Sequence, residues 1–240
     1  CFELKAAEAN KFATSDTSQI NYAYHLDASL YAGFLRQFAE SFGAKRVEGL
    51  IEAVEQNPET GFITGLVLKS GERIEGDLFI DCTGFRALLI DKTLKTGFTD
   101  WSHWLPTDRA IAVQTKATGP ALPYTRAIAH DAGWRWKIPL QHRVGNGLVY
   151  SSAHMSDDEA RSRLLSEIDG EPLTDPRIIR YRTGRREKVW VKNCISIGLS
   201  SGFVEPLEST SIHLIQIYAS RLVQMFPFSG FSDALATRFN

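Results

Sequence analysis

The spacing of apolar and polar positions divides the chain into a helix, a run of strands and a second strand-rich segment. Residues 27–43 place apolar side chains at helical spacing, with Asp27 or Ser29 able to cap the start and Gly43 the end. Turn signals then separate strand-like stretches that predict a β-meander. The predicted strands of this meander are residues 47–54, 62–69 and 73–81.

Apolar and polar residues also alternate in the second half of the chain. In residues 109–155 apolar and polar side chains alternate, and helix signals are few. This pattern predicts strands of a second sheet in a separate lobe. A short surface helix follows, opened by Ser156 and Glu159 in capping-box spacing and closed by Gly170. Residues 177–192 carry many arginines and lysines over a strand-like pattern, which is typical of a solvated hairpin face.

Two short apolar runs each end in a polar turn that contains glycine. The run in residues 77–85 passes into Asp-Cys-Thr-Gly, and the run in residues 194–202 passes into Gly-Leu-Ser-Ser-Gly. Polar groups at the carboxyl end of a buried strand are typical of the ligand-binding edge of an open α/β sheet. The pattern therefore predicts a ligand site at this edge.

A long apolar helix is predicted over residues 211–226, with Ser209 or Thr210 as its N-cap and Pro227 after its end. A single polar stripe predicts that this helix is mostly buried. Its first backbone N–H groups lie at the positive end of the helix dipole, and such an end binds anions. Glu208 directly precedes it, either complementing the dipole or serving a reaction beside the anion.

Residues 198–202 also match the Gly-x-Ser-x-Gly pattern of an α/β-hydrolase nucleophile elbow. In such an elbow the helix begins directly after the serine, whereas Pro206 delays the helix here. The hydrolase order also requires a later acid and then a histidine, but the last histidine is His213 and the later acid is Asp233. The chain order therefore disfavours a hydrolase.

The stretch Trp-Arg-Trp-Lys-Ile-Pro spans residues 134–139. In a strand, Trp134 and Trp136 point to one face and Arg135 and Lys137 to the other. A double aromatic wall of this kind is by itself more typical of a core than of a cofactor site.

Composition narrows the classes of partner. The 240 residues are 43% apolar and 23% charged with a formal net charge of −1, so nothing favours nucleic acid or an anionic membrane. The apolar runs are shorter than the roughly 18 residues that span a bilayer, and no leader pattern opens the chain. Three scattered cysteines argue against a disulfide framework and a zinc site, which favours the cytoplasm. The first residue, Cys1, indicates a fragment of a longer chain.

The Trp-x-Trp-x-Ile-Pro stretch, the Asp-Cys-Thr-Gly-Phe strand end and the run Gly-Phe-Val-Glu-Pro-Leu-Glu-Ser-Thr together resemble the flavin-dependent tryptophan halogenase family. The resemblance covers essentially the whole chain. It implies an α/β fold, an FAD-binding module of the flavin monooxygenase/halogenase type with a mixed substrate-side β-sheet. Residues 1–100 and 191–240 would belong to the FAD-binding module and residues 101–190 to the substrate-side lobe.

The resemblance also implies the chemistry. Reduced FAD (FADH2) and O2 give a flavin hydroperoxide, and a hypohalous species made from chloride or bromide halogenates an electron-rich aromatic, usually tryptophan or another indole. Thr210 and Ser211 would bind the halide, and Glu208 would be the catalytic carboxylate. Many members have glycine in place of Ser211, so halide preference stays open.

For the cofactor, the resemblance implies contacts from Leu199 and Ile212, and from Ile51 to the adenine. Trp134 and Trp136 would support halogenation over ordinary monooxygenation. A separate flavin reductase would supply FADH2, the substrate would be a small aromatic molecule, and a homodimer is left open.

The family's glycine-rich motif, catalytic lysine and C-terminal closing segment would lie outside residues 1–240, so this segment alone is expected to be inactive. Two alternatives stay open, a flavin-dependent aromatic monooxygenase that shares the fold and a non-catalytic flavin-fold remnant. Halide-dependent product formation separates the halogenase from the monooxygenase.

Overall fold

The computed structural model describes residues 2–12, 20–207 and 209–240. The helices are α1 (Phe2–Glu8), α2 (Ala28–Ser41), α3 (Asp157–Glu167), α4 (Thr210–Gln224) and α5 (Asp233–Phe239). The strands are β1 (Ile51–Gln56), β2 (Ile63–Leu68), β3 (Arg73–Glu75), β4 (Phe79–Asp81), β5 (Phe98–Asp100), β6 (Arg109–Thr115), β7 (Arg126–His130), β8 (Gly133–Pro139), β9 (Val144–Tyr150), β10 (Arg177–Arg180), β11 (Gly184–Arg186), β12 (Trp190–Val191), β13 (Cys194–Ser196) and β14 (Gly202–Phe203).

The chain folds into two compact units, each built from two segments. The first unit joins Cys1–Arg46 to Thr107–Arg180, and the second joins Val47–Pro106 to Tyr181–Asn240. The sequence placed the module boundaries near residues 100 and 190 and grouped residues 1–46 with the flavin-side segment. The assignment of flavin and substrate roles to these segments stays a prediction.

Helix α2 of the first unit begins where the sequence predicted. The carboxylate of Asp27 accepts the backbone N–H groups of Ser29 and Leu30, at 3.0 and 3.3 Å, which satisfies two donors of the first turn. The same carboxylate pairs with Arg143 at 2.8 Å, so the helix start is tied to the adjoining β8–β9 hairpin. The predicted helix is confirmed.

A five-stranded sheet with the order β10-β6-β9-β8-β7 forms the body of the first unit. Its four strand pairings are all antiparallel, whereas the sequence expected a mixed sheet on this side. The short β7–β8 and β8–β9 connections explain the difference, because a parallel pair requires a long crossover. The core under this sheet contains Ile111, Leu148, Tyr150 and Leu164.

Helix α3 packs on this sheet and carries the predicted capping box. The Ser156 hydroxyl accepts the Glu159 N–H, and the Glu159 carboxylate accepts the Ser156 N–H at 2.8 Å. At the other end of α3, Arg135 of β8 pairs with the Glu167 carboxylate at 2.8 Å. The charged face of β8 is therefore used to hold α3.

The second unit contains three small sheets, with the orders β1-β2-β3, β14-β11-β5 and β12-β13-β4. The sequence predicted residues 73–81 as one strand, but this stretch is divided between β3 and β4, which belong to different sheets. The divide is fixed by Asn193, whose amide donates to the carbonyls of Ile63 and Asp77 at 2.8 and 3.1 Å. Strand β4 then pairs in parallel with β13.

The basic run of residues 177–192 does not form one hairpin, although Arg180, Arg182, Arg185 and Lys188 are exposed, as the sequence predicted. Strand β10 pairs with β6 in the first unit, whereas β11 pairs with β14 and β5 in the second. Arg186 is buried, at 6% exposure. The prediction of a solvated face is wrong at Arg186, because an arginine with a carboxylate partner can be buried and that partner is distant in sequence.

One side of helix α4 packs against the core around Trp190 and Phe239. Leu222 is its one buried residue, so the prediction of a mostly buried helix is wrong for the chain as described. The Asn240 side chain closes this region by accepting the N–H groups of Val189 and Trp190, at 2.7 and 2.8 Å. None of the helices in the described ranges is long and apolar enough to cross a bilayer.

Candidate functional site

The candidate site is built at the carboxyl end of β4 in the second unit. Asp81, the last residue of β4, is fully buried. One carboxylate oxygen accepts the N–H and hydroxyl of Thr83, at 2.9 and 2.7 Å. The other accepts the N–H groups of Leu89 and Ile90, at 2.9 and 2.8 Å. Asp81 therefore fixes both the turn after the strand and the short helical segment that follows.

The glycine turn of residues 198–201 lies beside this strand end. The buried Ser200 hydroxyl donates to the carbonyls of Asp81 and, at 3.0 Å, Ile197. Gly198 has a φ of 76°, a left-handed conformation that favours glycine. A Cβ at Gly198 would lie 3.5 Å from the Ile215 side chain, which shows that the turn approaches α4 closely.

The hydroxyl bonds of Ser200 bear on the hydrolase hypothesis. A nucleophilic serine presents its Oγ at the surface of the site beside a histidine base. Here the Oγ is buried and donates to backbone carbonyls. The structure therefore agrees with the sequence order in disfavouring a hydrolase.

Arg186 and Asp91 hold the glycine turn from the other side. The Arg186 guanidinium donates from Nε to the Ser200 carbonyl at 3.2 Å and pairs through an NH group with Asp91 at 2.9 Å. Its backbone N–H donates to the Ser201 carbonyl at 2.8 Å. Arg186 was not predicted as a site residue because the basic run was predicted to be solvated, and Asp91 has no local sequence signal that links it to Arg186.

The N-terminus of α4 is shaped by a strained residue. Ser209 is the N-cap, as predicted, but with φ 54° and ψ 34° its side chain accepts no hydrogen bond from the first turn. Its N–H donates to the Pro206 carbonyl at 3.1 Å. The half-buried Thr210 and Ser211 follow, so the first N–H groups of the helix have no side-chain cap from Ser209.

The structure brings the predicted halide residues and two of the predicted flavin residues onto adjoining segments. Leu199 lies on the glycine turn and Ile212 in the first turn of α4, at 37% and 40% exposure. Ile51 is half-buried in β1 and packs against the core around Ile63. The functional roles of these residues stay predictions.

Trp134 and Trp136 belong to the first unit, on β8. Their ring centroids lie 5.9 Å apart, which agrees with the predicted common face. A Cβ placed on Gly147, opposite Trp136 on β9, would lie 2.0 Å from the Trp136 ring. The glycine therefore leaves the space that this indole occupies.

Glu208, the predicted catalytic carboxylate, lies outside the described residues. Cys82 lies beside Asp81, and partial desolvation of its thiol together with the negative charge of Asp81 raises the thiol pKa. Among the residues that the structure describes, no group of three His, Cys, Asp or Glu side chains is arranged to hold a metal ion.

A buried strand end, a glycine turn and a helix N-terminus that the Ser209 side chain does not cap are together typical of an α/β fold of the nucleotide-binding kind. The chain belongs to the tryptophan halogenase family, whose model matches residues 1–240. The predicted resemblance and the predicted fold class, α/β with an FAD-binding module of the halogenase type, are thereby confirmed.

Several relatives illustrate this membership. Tryptophan 7-halogenase RebH of Lentzea aerocolonigenes is 44% identical, over 92% of this chain and 42% of its own length. Xcc4156, a flavin-dependent halogenase from Xanthomonas campestris, superimposes with a TM-score of 0.96 at 52% identity, covering 100% of this chain and 48% of that one. BrvH, a flavin-dependent halogenase from Brevundimonas sp. BAL3, superimposes with a TM-score of 0.93 at 49% identity. This match covers 98% of the present chain and 49% of BrvH. The chain spans about half the length of these relatives.

Proposed function

We propose that this chain is part of an enzyme that uses FADH2 and O2 to attach chloride or bromide to an electron-rich aromatic, tryptophan or another indole. The observation that carries the proposal is the meeting, in one compact unit, of the Leu199 turn with the α4 N-terminus that bears Thr210 and Ser211. Membership of the tryptophan halogenase family supports it.

The residues of the turn fit a flavin. Leu199 and Ile212 present partly exposed apolar side chains beside backbone groups, the combination that an aromatic ring system with polar edges requires. Ile51 would contact the adenine through backbone groups. When bound, the reduced flavin would supply, with O2, the oxidising power that turns a halide ion into a hypohalous species.

The start of α4 fits a halide ion. Thr210 and Ser211 are half-buried at the positive end of a fifteen-residue helix, and the Ser209 side chain accepts no hydrogen bond from the first turn of this helix. The Ser211 hydroxyl would add a donor and bulk to the proposed halide pocket. We propose that it makes the pocket differ in halide preference from one that has glycine at this position.

Glu208 would act on the substrate side of the halide. Its carboxylate would orient the halogenating species or accept the proton that leaves the ring. Trp134 and Trp136 would have a supporting role, favouring halogenation over hydroxylation. A separate flavin reductase would deliver FADH2.

The test uses the complete gene product that contains residues 1–240, a flavin reductase, FAD, bromide or chloride, and a panel of indoles. Mass spectrometry should detect a halogenated product that requires halide, and Glu208→Gln should abolish this product while FADH2 oxidation continues. Glu205→Gln is the matched control, because the amide oxygen can still accept the Leu207 N–H that Glu205 accepts at 3.1 Å.

Two outcomes would contradict the proposal. A hydroxylated product formed equally well without halide would identify a flavin monooxygenase. Unchanged halogenation by Glu208→Gln would show that the catalytic carboxylate is a different residue.

A further inference from the structure

We propose that Arg186 is a positioning residue for halogenation, which holds the glycine turn of residues 198–201 in the geometry that the reaction needs. This inference rests on the proposed function. Its effect would pass through the turn, because two of its hydrogen bonds go to the turn. Its guanidinium also pairs with Asp91 and lies over the Phe98 ring, 5.1 Å from the ring centroid.

The contacts of Arg186 converge on two successive carbonyls. The side chain donates to the Ser200 carbonyl at 3.2 Å, and the backbone N–H donates to the Ser201 carbonyl at 2.8 Å. Leu199, the proposed flavin contact, directly precedes these two residues. A shift of Arg186 would therefore move the turn that we propose contacts the flavin.

Asp91 holds the Arg186 side chain through an ion pair. Its carboxylate lies 2.9 Å from the guanidinium, and the Arg186 and Asp91 side chains are 7% and 28% exposed. Asp91 follows Ile90, whose N–H is held by the Asp81 carboxylate at 2.8 Å. The Ser200 hydroxyl donates back to the Asp81 carbonyl. These contacts form a closed ring through the strand end, the short helical segment and the glycine turn.

The residues of this ring indicate that it positions the glycine turn rather than stabilising the fold. A buried ion pair contributes little net stability compared with apolar residues of similar volume, because both charges lose their hydration. A guanidinium, however, offers several donors in a fixed plane and can hold a carboxylate and a carbonyl at once. A lysine ammonium keeps the charge but lacks this planar fork.

The test measures the full-length enzyme with FADH2, O2, bromide and an indole that the wild type halogenates. The variants are Arg186→Lys, Arg186→Met and Asp91→Asn. Arg143→Lys is the matched control, because Arg143 pairs with Asp27 at 2.8 Å with side chains that are 15% and 11% exposed, in the first unit. The readouts are the thermal midpoint, FAD affinity, KM for bromide, brominated product per FADH2 oxidised, and hydrogen exchange of the Ser201 amide.

Arg186→Lys is expected to resemble Arg143→Lys in thermal midpoint and to bind FAD. It should give about tenfold less brominated product per FADH2 oxidised, since small displacements of reacting groups are costly. Asp91→Asn should shift the product ratio in the same direction, and faster exchange of the Ser201 amide should accompany the loss. If Arg186→Met does not fold, Arg186→Lys and Asp91→Asn carry the test.

Normal product ratios in Arg186→Lys and Asp91→Asn, with a wild type that halogenates, would overturn the positioning role and leave the proposed function standing. A wild type that halogenates no indole in the panel would instead count against the proposed function. In that case unchanged Ser201 exchange in both variants would also refute the positioning of the turn.

Discussion

Replacing Asp81 by asparagine should loosen the candidate site while leaving its side-chain size unchanged. Each carboxylate oxygen accepts two hydrogen bonds, from Thr83 on one side and from Leu89 and Ile90 on the other. In asparagine one of these oxygens becomes an NH2 group, which cannot accept. At least one buried N–H then loses its partner, and the remaining bonds lose their charge.

The size of the effect follows from the number of bonds affected. Hydrogen bonds to charged groups are worth about 1.5–3 kcal/mol each, and the cheapest arrangement places the NH2 beside Thr83, whose hydroxyl can rotate to accept it. One or two bonds are then lost, so we expect local opening to become easier by about 2–5 kcal/mol. That corresponds to exchange at least about 30-fold faster for the affected amides.

Hydrogen exchange followed by mass spectrometry measures this directly, in peptides that cover the amides of residues 83–95. Asp77→Asn is the control, because Asp77 is exposed and undergoes the same chemical change four residues earlier. Equal protection of the Thr83, Leu89 and Ile90 amides in Asp81→Asn and wild type would refute the reasoning. Loss of protection in both variants would show that the effect is not specific to Asp81.

Three further changes have defined expectations. Ser209→Gly should raise stability by about 1 kcal/mol, because Ser209 has a φ of 54° that glycine adopts without strain; an unchanged or lower thermal midpoint would contradict this. Gly147→Ala should lower stability by about 1–3 kcal/mol through its clash with the Trp136 ring, and near-UV circular dichroism should detect the displaced indole; an unchanged spectrum and midpoint would disprove it. His130 has a pKa lowered by burial and by Arg163, so the unfolded state takes up its proton first as pH falls below 6.5, and stability decreases from there towards the folded-state pKa. His130→Gln should flatten this part of the pH–stability curve, and an equally steep curve would show that other groups cause the slope.

The sequence by itself determined the elements whose signals are local. The Asp27 cap, the capping box at Ser156 and the shared face of Trp134 and Trp136 all depend on residues within a few positions of each other. Side-chain periodicity and capping act over this range, so a linear pattern is sufficient to predict them. The motif around Thr210 was likewise specific enough to predict the family.

Only the tertiary structure decided how distant segments meet. The Ser200 hydroxyl bonds to Asp81 across 119 positions, and Asp91 is the partner that allows Arg186 to be buried. The parallel pairing of β4 with β13 likewise joins distant segments. Burial of a polar group depends on its partner in space, and that partner leaves no periodic trace near the residue itself.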